Sequence, residues 1–279
     1  MKIINSIVWK YRGVIKDIFR TKAEEFDKLG MRRLYDESYL LAIIHFDDAI
    51  DACPEYINAY VNRAEAYLLL NKFEKAIQDY SNVIRLDPDF AKINPYRKRG
   101  YCKLKTKDFI GAIEDYTVGM RDKNDKFDCY LNRGIAKYEL NNYHEALNDF
   151  DDAILIGSNP SEIKNIGKYP LSTAYYCRAE CRIMLKDFSG AIDDNTSAIQ
   201  LNPSDYEYYF SRGEAKELMN DIEGAIIDFT KVISLNPING HAYYLRGKLK
   251  LKLNKVDAAQ IDFKYANKLG YSETSQLRP

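Results

Sequence analysis

The stretch Tyr60-Val61-Asn62-Arg63-Ala64 sets a pattern of tyrosine, two variable residues, arginine and a small residue, and this pattern returns five more times. The other copies are Tyr96–Gly100, Tyr130–Gly134, Tyr175–Ala179, Tyr209–Gly213 and Tyr243–Gly247. An alanine follows twelve residues after the small residue of every copy, and most copies are 34 residues apart. A unit this short cannot enclose a core of its own, so the chain is predicted to be a stacked array of repeats.

The repeats share a common register. With the small residue at position 8 of a 34-residue unit, seven units align, beginning at residues 23, 57, 93, 127, 172, 206 and 240. Position 20 is alanine in all seven, position 32 is proline in four, and position 24 is aromatic in six, with Asn195 as the exception. Small residues at 8 and 20 let two helices approach closely, and turn residues such as Asn71 and Asn141 separate them. Each unit is therefore predicted to be a helical hairpin, and the chain all-α.

This arrangement resembles the tetratricopeptide repeat family, whose aromatic, leucine, glycine, tyrosine, alanine, phenylalanine and proline residues stand at these offsets. The resemblance covers about residues 23–271 and implies a right-handed superhelical solenoid of about seven helix-turn-helix units. An amphipathic helix over residues 1–22 is expected before it, an insertion at 157–170 within it, and a polar tail over 272–279 after it.

One departure from the family pattern is systematic, because position 7 holds arginine in six units where the family has leucine. Position 23 holds aspartate in the same six units, and the first unit lacks both, with Leu29 and His45 there. Their joint loss predicts that the arginine and the aspartate pair across the hairpin. Since both positions flank core positions, we expect these pairs to be partly buried and structural.

Bulk composition excludes several classes of protein. The 41 basic residues balance the 41 acidic ones, so no long-range field favours nucleic acid. Five scattered cysteines indicate reduced thiols in a cytoplasmic protein, and neither a metal site nor a cofactor is expected. No apolar run approaches the roughly 20 residues of a membrane span. No phosphate loop, nucleophile motif or zinc-protease motif is present, so the chain is not expected to be an enzyme.

The predicted function is that of a scaffold that binds a peptide or helix of another protein. In the family's geometry, positions 2, 5 or 6, 9 and 12 of each first helix line a concave groove, where aromatic rings alternate with charges of both signs. The candidate groove residues are Asn62, Glu65, Arg97, Lys98, Tyr101, Asn132, Tyr138, Tyr176, Glu180, Phe210, Glu214, Tyr244 and Lys248. The third unit is basic there and the sixth acidic. The clamp by which some family members hold a chaperone's terminal carboxylate is incomplete, since Asp27 and Met31 replace its first lysine and asparagine.

The ends of the chain suggest a second function, that of a structural subunit or adaptor. Residues 1–22 have a basic face and an apolar face, and the candidate docking face comprises Ile4, Ile7, Val8, Trp9, Tyr11 and Ile15. Three roles are open for this segment: a cap on the array, a docking or self-association element, and a helix that binds a membrane surface. At the other end, Val256, Tyr265, Leu269 and Tyr271 form a candidate oligomer face.

Overall fold

The computed structural model describes residues 2–90, 92–159 and 167–271, and only the backbone of residues 2–15, 123 and 169. The described residues form fourteen α-helices, one short 3₁₀ turn and no strand. Contacts divide the chain into two large units, residues 1–136 and 137–279. From here on, the first and second unit are these two parts of the chain, and each 34-residue helical hairpin is a repeat.

Helices account for most of both units. The first unit contains α1 (Lys2–Tyr35), α2 (Tyr39–Ala52), α3 (Ile57–Leu69), α4 (Phe73–Leu86), α5 (Pro95–Lys105) and α6 (Phe109–Gly119). The helix α7 (Lys126–Glu139) contains the division between the units. The second unit continues with α8 (Tyr143–Gly157), α9 (Lys168–Met184), α10 (Phe188–Leu201), α11 (Tyr206–Leu218), α12 (Ile222–Leu235), α13 (Gly240–Lys252) and α14 (Val256–Lys268).

Consecutive helices pack as hairpins, and the hairpins stack on one another within each unit. The alanine at position 20 is fully buried in every repeat, as in Ala76 and Ala225. The small residue at position 8 lies against the ring at position 24, so that a Cβ added to Gly213 would lie 3.1 Å from Phe229. Close helix approach through small residues, beside buried rings, is the packing that the sequence predicts, and the all-α array of helix pairs is confirmed.

The turn inside each hairpin has the same backbone geometry in all seven repeats. The residue at position 15 has a positive φ each time, and it is asparagine at Asn71, Asn141, Asn220 and Asn254. In the second repeat the amide of Lys72 donates to the carbonyl of Tyr67 at 2.8 Å, and equivalent bonds close the other turns. A left-handed residue with this hydrogen bond is the usual way to end a helix, and asparagine tolerates that conformation better than most residues.

The N-terminal segment is not a separate element, because α1 runs without interruption from Lys2 to Tyr35. Neither glycine nor proline occurs between Gly13 and Gly30, so nothing ends the helix at the expected boundary near residue 22. Of its apolar stripe, Ile18 and Phe19 are described, and they are 61% and 49% exposed.

Some predicted features lie outside the described residues. These are the side chains of the candidate N-terminal docking face, the middle of the insertion at 160–166, and the tail at 272–279. Within the part of the chain that the structure describes, no helix is both long enough and apolar enough to cross a bilayer.

Candidate functional site

The arginine at position 7 binds the aspartate sixteen residues later through two nitrogens. In the second repeat, Arg63 Nε and Nη2 donate to the carboxylate of Asp79 at 2.9 and 2.6 Å. The same geometry is present in Arg99–Asp115, Arg178–Asp194, Arg212–Asp228 and Arg246–Asp262. All five aspartates are buried. The predicted pairing is confirmed for these repeats, whereas Arg133 with Asp149 stays a prediction because the two lie in different units.

The third guanidinium nitrogen of each arginine reaches the preceding repeat. Arg212 Nη1 donates to Thr196 Oγ1 at 3.0 Å, and Arg99 Nη1 donates to Ser81 Oγ at the same distance. The other acceptors are Asp47 for Arg63, Thr117 for Arg133, Asp151 for Arg178 and Thr230 for Arg246. Each guanidinium also lies 5.5 to 5.8 Å from the ring of the tyrosine three residues before it. One side chain therefore connects three helices, which identifies the arginines as structural rather than as free ligands for a partner.

Position 11 supplies a second cation to most of the buried aspartates. Lys216 Nζ lies 2.7 Å from Asp228, and Lys250 Nζ lies 2.7 Å from Asp262. Equivalent pairs are Lys103–Asp115, Lys137–Asp149 and Arg182–Asp194. Asp79 is the exception, since position 11 of its repeat is Tyr67. Its carboxylate is balanced by Arg63 alone among the described residues.

In the first unit, the candidate groove residues bind other residues of the same unit. Asn62 Nδ2 donates to Asp27 at 2.7 Å, and Lys98 Nζ lies 2.7 Å from Glu65. Arg97 lies 2.9 Å from Asp125 and 3.1 Å from Asp128. Tyr101 packs edge-on against Phe73, and Asn132 donates to the main-chain carbonyl of Asp128. Asn62 and Lys98 are therefore both engaged within the chain.

In the second unit, aromatic side chains of the first helices α11 and α13 form a line that ends at Tyr271, which follows α14. The Phe210 ring is 5.1 Å from His241, and the His241 ring is stacked at 4.6 Å on Tyr271. Tyr244 lies 5.4 Å from Tyr271. Elsewhere Tyr176 contacts Tyr208, and Tyr138 contacts Tyr143. Phe210, His241, Tyr244 and Tyr271 are half-buried, so part of each side chain remains in contact with solvent.

Acidic side chains lie beside these rings. Glu180 accepts a hydrogen bond from Ser211 at 2.6 Å, and Glu217 lies 3.3 Å from both Lys248 and Lys252. Glu214 has no hydrogen bond or ion pair with the described residues. Burial raises the pKa of Glu214 to about 7, with further contributions from Glu180, Glu217 and Glu207. Burial likewise raises the pKa of Glu180.

A buried polar residue, Asn195, supports part of this acidic region through hydrogen bonds. It occupies position 24, where the other repeats have an aromatic ring, and it is fully buried. Its Nδ2 donates to Ser211 Oγ at 2.9 Å, and the same hydroxyl donates to Glu180. Among the described residues, the Oδ1 of Asn195 has no hydrogen-bond partner. The substitution of a ring by an amide thus places a polar chain beneath the carboxylate of Glu180.

Sequence reasoning identified the arginine–aspartate pairs and missed their links to the preceding repeat. The missed acceptors have a visible signal, because position 25 carries a side-chain oxygen in Asp47, Ser81, Thr117, Asp151, Thr196 and Thr230. The ring cluster around His241 depends on Tyr271, which lies beyond the last repeat position considered for the groove. Among the described residues, no group of three acidic, histidine or cysteine side chains is arranged to hold a metal.

Comparisons with known proteins agree with this architecture. Tetratricopeptide repeat models match residues 57–90 and 206–239. Hsp70-Hsp90 organizing protein 3 of Arabidopsis thaliana is 32% identical over 109 residues, which is 38% of this chain and 19% of that protein. DnaJ homolog subfamily C member 3 of Gallus gallus is 24% identical over 215 residues, or 72% of this chain and 40% of that protein. The chain thus spans less than half the length of either relative.

Solved structures show the same fold. The C-terminal part of a TPR repeat-containing protein from Cytophaga hutchinsonii superposes with a TM-score of 0.70 at 17% identity, covering 90% of this chain and 99% of that one. A tetratricopeptide repeat protein from Parabacteroides merdae gives a TM-score of 0.64 at 19% identity, covering 91% and 96%. With two matched repeats, five more in the same register and the paired-helix fold, the chain is a member of the tetratricopeptide repeat family.

Proposed function

We propose that this protein is a non-catalytic scaffold that captures a peptide or helix of a partner protein on the first helices of its repeats. Membership of the tetratricopeptide repeat family supports a role in protein–protein interaction. The relative from Arabidopsis thaliana bears a name that describes the organisation of Hsp70 and Hsp90, which is consistent with such a role. With five free thiols, the cytoplasm is the compartment we expect.

One observation carries the proposal, namely the half-buried rings that run from Phe210 through His241 to Tyr271. Aromatic side chains offer a large contact area at a low cost in conformational entropy, and they are enriched where proteins bind one another. Phe229, the core ring of the same repeat as Phe210, is fully buried. These rings instead keep part of their surface in solvent.

The test compares two double variants by quantitative affinity purification. Tyr101→Ala with Phe210→Ala removes one ring from each unit's first-helix surface. Ile110→Ala with Ile227→Ala is the matched control, since these residues on second helices are 65% and 67% exposed. Partners that bind the groove are expected to be lost by the first variant and kept by the second. An unchanged partner set in the first variant contradicts the proposal.

A second candidate function is assembly through the N-terminal helix. Ile18 and Phe19 are exposed apolar residues on α1, and Lys16 beside them forms an ion pair with Glu55 at 2.7 Å. Ile18→Lys with Phe19→Lys should reduce the sedimentation coefficient if this helix joins copies of the chain. If the sedimentation coefficient is unchanged, self-assembly through these two residues is excluded.

A further inference from the structure

We infer that the first-helix surface of the second unit binds a basic, extended segment of a partner protein, with Glu180, Glu207 and Glu214 receiving its lysine or arginine side chains. The inference rests on the proposed function and adds the chemistry of the partner. It follows from three features of this surface: an excess of carboxylates, a row of half-buried rings, and a buried polar chain beneath Glu180.

Most cations of these helices are already paired within the chain. Those bound to buried aspartates are Arg178, Arg182, Arg212, Lys216, Arg246 and Lys250. Lys248 and Lys252 both pair with Glu217. No cation among the described residues pairs with Glu180, Glu207 or Glu214. Glu180 lies on α9, and Glu207 and Glu214 lie on α11, the two helices that the Ser211–Glu180 hydrogen bond connects. Without a counter-ion, these three carboxylates leave a negative surface that a positive ligand would neutralise.

The first unit provides an internal comparison. Its candidate groove charges are balanced within the unit, since Lys98 pairs with Glu65 and Arg97 pairs with Asp125. An equally charged groove in the second unit could have been balanced in the same way. The excess of unpaired carboxylates is therefore specific to the second unit and is not a general feature of the repeat. It favours a positively charged ligand at this surface.

A second, independent observation comes from beneath this surface. Asn195 is fully buried and donates to Ser211, which in turn donates to Oε1 of Glu180. This chain of hydrogen bonds holds the Glu180 carboxylate in place. Its Oε2 has no hydrogen-bond partner among the described residues, so it can receive the ammonium or guanidinium group of a ligand.

The neighbouring rings define the rest of the ligand. Phe210 and His241 lie on the same first helices as Glu214 and Lys248, so a chain that crosses the carboxylates also crosses the rings. Cationic side chains favour aromatic faces as well as carboxylates. A segment in which lysine or arginine alternates with apolar residues fits both features.

The experiment uses the full chain and a fluorescein-labelled peptide about ten residues long, with lysine and leucine alternating. Fluorescence anisotropy is recorded at low ionic strength and pH about 8, where the glutamates are ionised. The wild-type protein should bind this peptide at least about tenfold more tightly than the same peptide with glutamate in place of lysine. Equal binding of the two peptides, or no binding of the basic one, overturns the inference.

Two variants test the site itself. Glu180→Gln with Glu214→Gln should weaken binding at least about tenfold, and Glu207→Gln alone, which changes an exposed residue, should weaken it about threefold. Asp152→Asn with Asp193→Asn is the control, because it removes the same charge from exposed positions on second helices. An equal loss of affinity in the control would show that only the net charge of the protein matters, which overturns the assigned site. Circular dichroism verifies that each variant is folded. The basic peptide could fail to bind while Tyr101→Ala with Phe210→Ala still loses partner proteins. In that case the proposed scaffold function is kept, and the inference that the partner segment is basic is wrong.

Discussion

Arg63 and Asp79 form a two-point ion pair in which the aspartate is only 1% exposed and has no other cation among the described residues. Asp115, Asp194, Asp228 and Asp262 each have a lysine or a second arginine as well. The second repeat therefore depends on a single guanidinium where these four repeats have two positive groups.

We expect Arg63→Ala to destabilise the protein by about 3–5 kcal/mol, because it leaves a buried carboxylate without a counter-ion. Arg212→Ala should cost less, since Lys216 remains 2.7 Å from Asp228. Urea unfolding of the two variants measures the difference. Arg63→Ala with Asp79→Ala should recover part of the loss, whereas strictly additive effects would show that the pair is not coupled.

The left-handed residue in each hairpin turn predicts an effect of backbone conformation on stability. Asn220 is such a residue, with a φ of 64° and an exposed side chain. Asn220→Ala should lower the free energy of unfolding by about 1 kcal/mol, because alanine tolerates the left-handed conformation poorly. Asn220→Gly is the control and should be close to neutral, since glycine adopts this conformation freely. Thermal unfolding of both proteins distinguishes them, and an equal loss in both would point to a lost side-chain contact instead.

Close helix packing predicts the outcome of Gly30→Ala. The added Cβ would overlap three ring atoms of Phe46, which is fully buried and cannot leave. We expect a loss of about 1–3 kcal/mol from overpacking, in spite of the higher helix propensity of alanine. In the next repeat alanine is native at the same position, so Ala64→Gly should instead cost about 1 kcal/mol through propensity. Chemical unfolding measures both, and a stabilised Gly30→Ala variant would contradict the packing.

Stability should depend on pH through Glu214. Burial raises its pKa to about 7, from an ordinary value of 4.5, and the neighbouring Glu180, Glu207 and Glu217 add to the shift. Lys248, on the adjacent helix α13, is paired with Glu217 and does not offset it. The folded protein then holds a proton that the unfolded chain releases, so this group lowers stability as pH rises from about 4.5 to 7.

Glu214→Gln should accordingly stabilise the protein by about 1–3 kcal/mol at pH about 8 and have little effect at pH about 4. Melting temperatures of wild type and variant across this range provide the measurement. Glu223→Gln, an exposed residue on a second helix, is the control. A stabilisation of Glu214→Gln that does not change with pH would show that its carboxylate is not the destabilising group.

The repeats, their register and the pairing of Arg63 with Asp79 could all be predicted from the sequence, because each is a local pattern repeated many times. The continuity of α1 through residue 22 was missed, since the repeat boundary suggested a break that no glycine or proline enforces. The groove charges required the structure for a different reason. Whether Lys98 meets Glu65, or Glu214 remains without a partner, depends on distances between successive hairpins that no spacing in the chain reveals.

The link from each arginine to the preceding hairpin has a consequence for how such a chain can lengthen. The aspartate that Arg212 binds lies sixteen residues ahead of it, and the threonine lies sixteen residues behind. A tandem duplication of one whole repeat therefore copies the arginine with its own aspartate, and it places a new acceptor next to the following arginine. Each junction is regenerated by the copy. Gain or loss of entire repeats should thus leave no arginine or aspartate unpaired at the new junction. A partial copy would instead bury a charged side chain without its partner.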